Sequence, residues 1–193
     1  MTHFDAIKAD TFRQYGRFSW GLLLKGALAR RSFRVVVTMR MCQAVAQSSQ
    51  PARLPLPIFK MFHCVATQIA AVDFPWQTEV GAGLALTHGW GLLVNRGVKL
   101  GTNVTLFHGV TLGQRDQISN DGTRTSGYPV LEDEVWIGPH AIVVGAVTIG
   151  RGRRVAGGAF VRESIPPFSI VAGNPGRIVK KNCMLDVANA AQI

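Results

Sequence analysis

His88 stands in Leu86-Thr-His-Gly-Trp90 and His108 in Leu106-Phe-His-Gly-Val110, each two residues after a leucine and directly before a glycine. An imidazole titrates near neutrality, which makes it the natural base for taking a proton from a hydroxyl or amine as that group attacks a thioester. Asp73, 15 residues before His88, is spaced to fix the ring's tautomer and raise its basicity. Backbone N–H groups near Gly109 or Gly113 are the candidates for steadying the oxyanion that such an attack creates. The competing account makes both histidines turn residues bonded to a carbonyl. Two histidines alone are a weak metal set, so no metal is expected. His140, after Gly138-Pro139, has no matched partner and reads as a surface residue, and His63 beside Cys64 reads as core. There is no phosphate loop, nucleophile elbow or paired-carboxylate arrangement.

What must hold these groups is a repeat of six. Val80, Leu86, Leu92, Val98, Val104 and Val110 form one register, and Val135, Ala141, Val147, Arg153 and Ala159 form another. A second row runs two residues ahead, through Leu100, Leu106, Leu112, Ile137, Val143, Ile149, Val155 and Val161. Helices repeat at 3.6 and strands at 2, so a sustained period of six requires a coil with flat sides. Three hexads close a triangular turn of about 18 residues, and each turn covers the open edge of the one before. On that period His88 and His108 lie on adjacent turns, offset by about two positions, with Asp73 nearly one turn before His88. The phase breaks once, after Val110, and resumes at Pro129 and Val135; the surplus is the polar stretch 116–128, which reads as a protruding loop on a rigid scaffold.

Composition narrows the partners. The chain of 193 residues carries a formal charge of +10, and residues 1–70 hold ten Lys or Arg against only Asp5 and Asp10. Such an excess attracts anions: a nucleotide cofactor, an acidic polymer or an acidic membrane surface. The basic residues alternate with apolar ones and match no nucleic-acid motif, so no nucleic acid is expected. Cys42, Cys64 and Cys183 match no zinc spacing and, without a secretory signal, suit a reducing compartment. The stretch from Leu54 to Val72 is too interrupted by Pro55, Pro57, Lys60 and His63 to span a membrane.

Three parts follow. Residues 1–70 form a helical N-terminal region that caps the coil end or packs on a neighbour, with a break at Ser48-Ser-Gln-Pro51 and a third helix from near Pro57. Residues 71–172 form a mainly β solenoid of about five coils with the insertion 116–128. Residues 173–193 form a tail in which Arg177, Lys180 and Lys181 cluster and whose last residues, Asp186 to Ile193, fray.

The hexads, with Gly109-Val-Thr-Leu-Gly113, Val135-Trp-Ile-Gly138, Ala141-Ile-Val-Val-Gly145 and Val171-Ala-Gly-Asn-Pro-Gly-Arg177, resemble the left-handed β-helix (hexapeptide-repeat) acyltransferases. The branch the chain looks like is that of the serine acetyltransferases and their relatives that O-acetylate capsule and exopolysaccharide sugars. The resemblance implies a homotrimer, acetyl-CoA as co-substrate in a groove between neighbouring coils, and a histidine general base. The serine enzymes' Asp–His dyad falls on Asp73 and His88, with His108 beside them. Their cofactor groove falls near Gly113, Pro139 and Gly157, with Arg177 and Lys180. Their second active-site histidine falls on Tyr128, the arginine before it on Gly127, and the aspartate before the general base on Thr87. Loss of that arginine removes a bidentate carboxylate partner. The expectation is therefore a cytoplasmic O-acetyltransferase acting on a saccharide hydroxyl in polysaccharide biosynthesis, working at the inner face of the membrane. Trp90, Tyr128 and Arg124 would contact the acceptor. Serine O-acetylation, transfer to a small amine and a non-catalytic scaffold subunit are the alternatives.

Overall fold

The structure is a computed structural model that describes residues 3–184 and 186–192; the side chain of His3 and the whole of Ile193 lie outside the described residues. Four helices come first: α1 His3–Tyr15, α2 Trp20–Ala29, α3 Arg31–Gln47 and α4 Leu56–Ala70. Ser19 caps α2, its hydroxyl accepting from the Leu22 N–H at 3.1 Å. The α2–α3 break falls at Arg30, which is extended at φ −113° and ψ 106°. α4 buries Leu56, His63, Ala66 and Ala70, and leaves Ile58, Met61, Phe62, Val65 and Ile69 about half exposed.

The β region is a left-handed parallel β-helix. Its strands are β1 Glu79–Val80, β2 Ala85–Thr87, β3 Leu93–Val94, β4 Lys99–Leu100, β5 Thr105–Phe107 and β6 Thr111–Gly113. After the hairpin β7 Arg115–Ile118 and β8 Arg124–Gly127 come β9 Val130–Leu131, β10 Trp136–Ile137, β11 Ile142–Val144, β12 Thr148–Ile149, β13 Arg154–Val155 and β14 Phe160–Val161. β15 Ser169–Ala172 and β16 Arg177–Lys181 close the chain's regular structure as an antiparallel pair. One face stacks β1, β4, β9 and β12, a second β2, β5, β10, β13 and β15, and the third β3, β6, β11 and β14. Bridges from Asp73 to Leu93 and from Ile149 to Ile165 add a rung to the third and first faces.

The interior is the hexad row. Val98, Leu106, Val110, Leu112, Val135, Ile137, Ala141, Val143, Ile149, Val155 and Ala159 are all inaccessible to solvent. Burying such a side chain contributes about 1.5–3 kcal/mol, which is why the row defines the fold. The coils are not all of one length. Trp136 pairs with Arg154, eighteen residues on, but Glu79 pairs with Lys99 and Ala85 with Thr105, twenty residues on. The surplus pair lies in the corner His88–Leu92, between β2 and β3. A uniform turn of 18 offsets His88 from His108 by two positions; the longer corner brings them into register.

The inward row is not apolar throughout. Arg153, in the aliphatic register, is fully buried, and only its Nη1 is satisfied, donating to Ser169 Oγ at 2.5 Å. Its Nε and Nη2 have no hydrogen-bond partner.

Charged groups of the helices close the first coil. Arg40 donates to the Asp10 carboxylate at 2.8 and 3.3 Å, and to the carbonyls of Val80 and Gly81 at 2.8 and 2.6 Å. The Leu84 N–H donates to Asp10 at 2.8 Å and Arg13 Nε to the Gly83 carbonyl at 3.0 Å. The edge groups that an open solenoid leaves unpaired thus find partners on α1 and α3. Burial pushes the Asp10 carboxyl above its ordinary value, against the pull of Arg40.

The tail does not fray along its described length. Asn103 receives the Ala191 N–H and donates to its carbonyl, both at 3.0 Å, while Arg13 donates to the Ala188 carbonyl and Arg154 pairs with Asp186.

Candidate active site

The corner between the second and third faces carries three histidines in a column. His88 follows β2, His108 follows β5 and His140 precedes β11. His88 and His140 take φ values of 62° and 57°, the left-handed region that tight corners need and that costs a side chain strain. The His88 and His108 rings lie 6.0 Å apart between centroids at 76°, and those of His108 and His140 5.0 Å apart at 90°. The backbone locks the column: the Gly109 N–H donates to the Trp90 carbonyl at 2.7 Å and the His140 N–H to the His108 carbonyl at 3.0 Å.

His140 is therefore not the isolated surface residue its local sequence suggests. Leu106 pairs with Ile137, thirty-one residues on, because the hairpin is inserted between those rungs. The same offset sets His140 over Gly109, where a Cβ would lie only 2.3 Å from its Nδ1. Carrying the register across the insertion is the signal that finds it.

Only His88 and His140 reach solvent freely; His108 is half-buried, and its Nδ1 is buried without a hydrogen-bond partner. The Gly109 N–H is committed to Trp90, which removes it from the oxyanion donors expected near Gly109 or Gly113.

Asp73 runs beside Leu93 rather than beneath His88. Its N–H donates to the Leu92 carbonyl and its carbonyl accepts from Val94, both at 2.8 Å. Asp73 is exposed, and no hydrogen bond joins its carboxylate to His88.

His88 opens onto a cleft of about 460 Å3 between this corner and the α2–α3 elbow, lined among others by Gln14, Arg30, Arg31, Ser32 and Thr87. Trp90, 48% exposed on the enlarged corner, has the Arg31 guanidinium 3.7 Å from its ring centroid. Arg31 Nη2 also donates to the His88 carbonyl at 3.4 Å. The other expected acceptor contacts do not join it. The Tyr128 ring packs over Gly97, and Arg124 pairs with Asp116 across the β7–β8 hairpin at 3.1 Å. Gly127 has no room for a side chain, since a Cβ would meet the Ala146 nitrogen at 2.5 Å.

The expected cofactor positions fall into two groups. Pro139 and Gly157 meet on the histidine corner, where the Pro139 carbonyl accepts from the Gly158 N–H at 2.8 Å, and Gly113 ends β6 against Val144. Arg177 lines a separate groove of about 410 Å3 with Arg162, Phe160, Pro175 and Lys181. Lys181, not Lys180, is the lysine that lines it. Among the described residues no cluster of three or more His, Cys, Asp or Glu is arranged to hold a metal ion.

His63 is core: its Nε2 donates to the Phe74 carbonyl at 2.8 Å, and Thr38 Oγ1 lies 3.0 Å from Nδ1. Burial pulls this imidazole below its ordinary value, the Phe74 bond pulling the other way. The buried Cys42 thiol is pushed up to about 11 by burial, with Lys60 opposing, so it is no nucleophile.

Comparison with known proteins points one way. No protein-family model matches the chain. It is 34% identical over 113 residues to the serine acetyltransferase of Buchnera aphidicola, covering 58% of this chain and 42% of that protein. It is 36% identical over 118 residues to that of Bacillus licheniformis, covering 61% and 52%. The chain thus spans about half the length of the curated relatives it matches. In fold it is similar to the serine acetyltransferase of Brucella abortus solved in complex with coenzyme A, with a TM-score of 0.73 and 24% identity, covering 94% of this chain and 69% of that one. In sequence the chain is similar to serine acetyltransferases over a little more than half of its length, and in fold it is similar to their solved structures.

These likenesses overturn the saccharide acceptor and the role in polysaccharide biosynthesis, because the relatives bear on serine and not on sugars. The site gives a physical reason as well: the indole reserved for stacking on a sugar carries an arginine on its face. Nor does anything support work at a membrane face; among the described residues no helix is long and apolar enough to cross a membrane.

Proposed function

We propose that the chain is an acetyl-CoA-dependent serine O-acetyltransferase in which His88 is the general base. The observation that carries this reading is an exposed histidine, held on a coil corner and lining a cleft, in a chain similar to serine acetyltransferases. His88 takes the proton of the serine hydroxyl as its oxygen attacks the thioester carbonyl. The same imidazolium then returns a proton as the thiolate departs, so that an ester and a free thiol leave and the base is regenerated. His108 packs edge-on against His88 and limits the ring's travel. Asp73, on the rung beside Leu93, is assigned to orient His88.

The basic groove of Arg162, Arg177 and Lys181 suits the phosphates of coenzyme A, and Pro139, Gly157 and Gly113 suit the pantetheine arm because they leave the coil surface open. A homotrimer is supported by the third face, where Leu93, Thr111, Ile142 and Phe160 stack in register; Leu93 and Ile142 are 40% and 38% exposed. A reducing cytoplasmic setting suits three unpaired thiols.

The test is thiol release from acetyl-CoA with L-serine, and detection of O-acetylserine by mass. His88→Ala is expected to lower kcat by about 10²–10⁴. Unchanged turnover in that variant, or no serine-dependent thiol release by the wild type, would refute the assignment.

A further inference from the structure

We propose that Arg30 and Arg31 of the α2–α3 elbow grip the carboxylate of the acceptor, and that the cleft reads this end of the molecule and not an ammonium group. The acceptors are then small hydroxy-carboxylates, of which serine is one. The inference rests on reading the cleft beside His88 as the acceptor site.

The argument starts from where the elbow puts its side chains. α2 ends at Ala29 and α3 begins at Arg31, so two consecutive guanidinium groups leave the chain at a helix break, with Arg30 extended between. Both line the same cleft as His88. Arg31 is held rather than loose: its guanidinium lies on the Trp90 ring at 3.7 Å and donates to the His88 carbonyl at 3.4 Å. The cation is thereby tied to the residue that carries the base. Arg30 lies beside the Tyr15 ring, 5.4 Å from its centroid.

Neither guanidinium is neutralised. The ion pairs among the described residues are Arg40–Asp10, Lys99–Glu79, Arg124–Asp116, Arg151–Glu134 and Arg154–Asp186, and none involves the elbow. The residues lining the cleft include no Asp or Glu. A planar guanidinium offers two parallel N–H donors to a carboxylate, a geometry that an ammonium cannot use. With no acid in its walls, the cleft has nothing to discriminate for an amine. At Gly127, where a side chain would strike Ala146, no alternative arginine is available to take the role.

The test measures binding and chemistry on the same full-length samples. Calorimetric titrations with L-serine, glycerate (no ammonium) and L-serinamide (no carboxylate) are run on wild type, R30Q, R31Q and R31K, each checked for an unchanged melting temperature. In the wild type serinamide is expected to bind about tenfold to a hundredfold more weakly than serine, and glycerate within about threefold of serine. R30Q and R31Q are expected to bring serine and glycerate down toward serinamide, R31K to fall between, and coenzyme A affinity to stay as in wild type. Serinamide binding as tightly as serine would overturn the proposal. So would glutamine variants that keep the carboxylate preference, or that lose coenzyme A instead, since the arginines would then serve its phosphates. Thiol release scored in parallel separates the two readings. A protein that binds serine and glycerate with this preference yet transfers no acetyl group refutes the enzymatic assignment alone. Transfer to serine that is indifferent to both arginines refutes the elbow alone.

Discussion

Replacing Arg153 by methionine should make this protein more stable, although it removes a charged side chain that makes a hydrogen bond. Arg153 lies in the prism interior between Val135 and Ser169, with no exposure to solvent. Burial pulls the guanidinium down to about 10, with Glu132 opposing, so it is still a cation at neutral pH. Nη1 has Ser169, while Nε and Nη2 have no partner. Each unsatisfied buried donor costs about 1–3 kcal/mol, and a hydrogen bond to a charged group returns about 1.5–3 kcal/mol. Methionine keeps the unbranched stem, fills irregular space and removes both orphans. It also leaves the Ser169 hydroxyl without Nη1, which that hydroxyl can offset by turning to a backbone carbonyl.

The balance is a gain of about 1–3 kcal/mol for R153M, in the range seen when buried ionic groups give way to apolar ones. Adding Ser169→Ala to R153M should raise stability slightly further, whereas Ser169→Ala alone strips the last bond from a buried cation and should cost about 2–3 kcal/mol. The assay is urea unfolding followed by far-ultraviolet circular dichroism, with equal m-values required before midpoints are compared. The reasoning fails if R153M unfolds at a lower urea concentration than wild type, for then the guanidinium has partners that offset its burial.

Two further outcomes follow from particular side chains. Gly109→Ala should cost about 1–2 kcal/mol, because Gly109 sits at φ 66° and an added Cβ would push the exposed His140 ring from the column; a thermal melt of wild-type stability would refute it. His63 has its imidazole held below the ordinary value by burial, so its contribution is complete above about pH 6.5 and is lost as pH falls through the lower folded value. Wild type should therefore lose stability relative to His63→Gln between pH 7 and 5, by up to about 1.4 kcal/mol per pH unit, and parallel pH profiles of the two would count against it.

Much of the fold was legible because a flat-sided coil leaves little choice inside. Positions such as Val98, Val135 and Ala141 must be small and apolar, so the period appears in the sequence wherever the interior does. The insertion was legible for the converse reason: a polar stretch interrupts the row, and it forms the β7–β8 hairpin. What escaped was anything that leaves the row unchanged. Leu86 and Leu92 keep their spacing of six, yet the corner between them is two residues longer than the corner from His108 to Val110. The closure of the first coil by Asp10, Arg13 and Arg40 was equally hidden, because a charged residue in a helix reads as a solvated face unless its partners are known. The tail's anchoring through Asn103 belongs with these, as it joins residues 88 apart by two hydrogen bonds.

The site divides along the same line. A solenoid converts sequence position into corner position, and the place of His88 on a corner was legible because a glycine follows it. His140 was missed because finding it requires adding the insertion to the period, after which it falls on Gly109. The groups that share the cleft with His88 from outside the coil obey no period at all. Arg30 and Arg31 come from a helix break more than fifty residues before His88, and only the packing of α3 on the coil brings them to it. This separation has a physical consequence. The histidine corner is fixed by backbone hydrogen bonds between rungs, so it tolerates little movement, whereas its charged neighbours ride on helices whose sequence the coil does not constrain. Acceptor preference can therefore change through the elbow while the chemistry at the corner stays intact. Gly127 fits that view, since the coil there has closed against Ala146 and leaves recognition of a carboxylate to residues outside it.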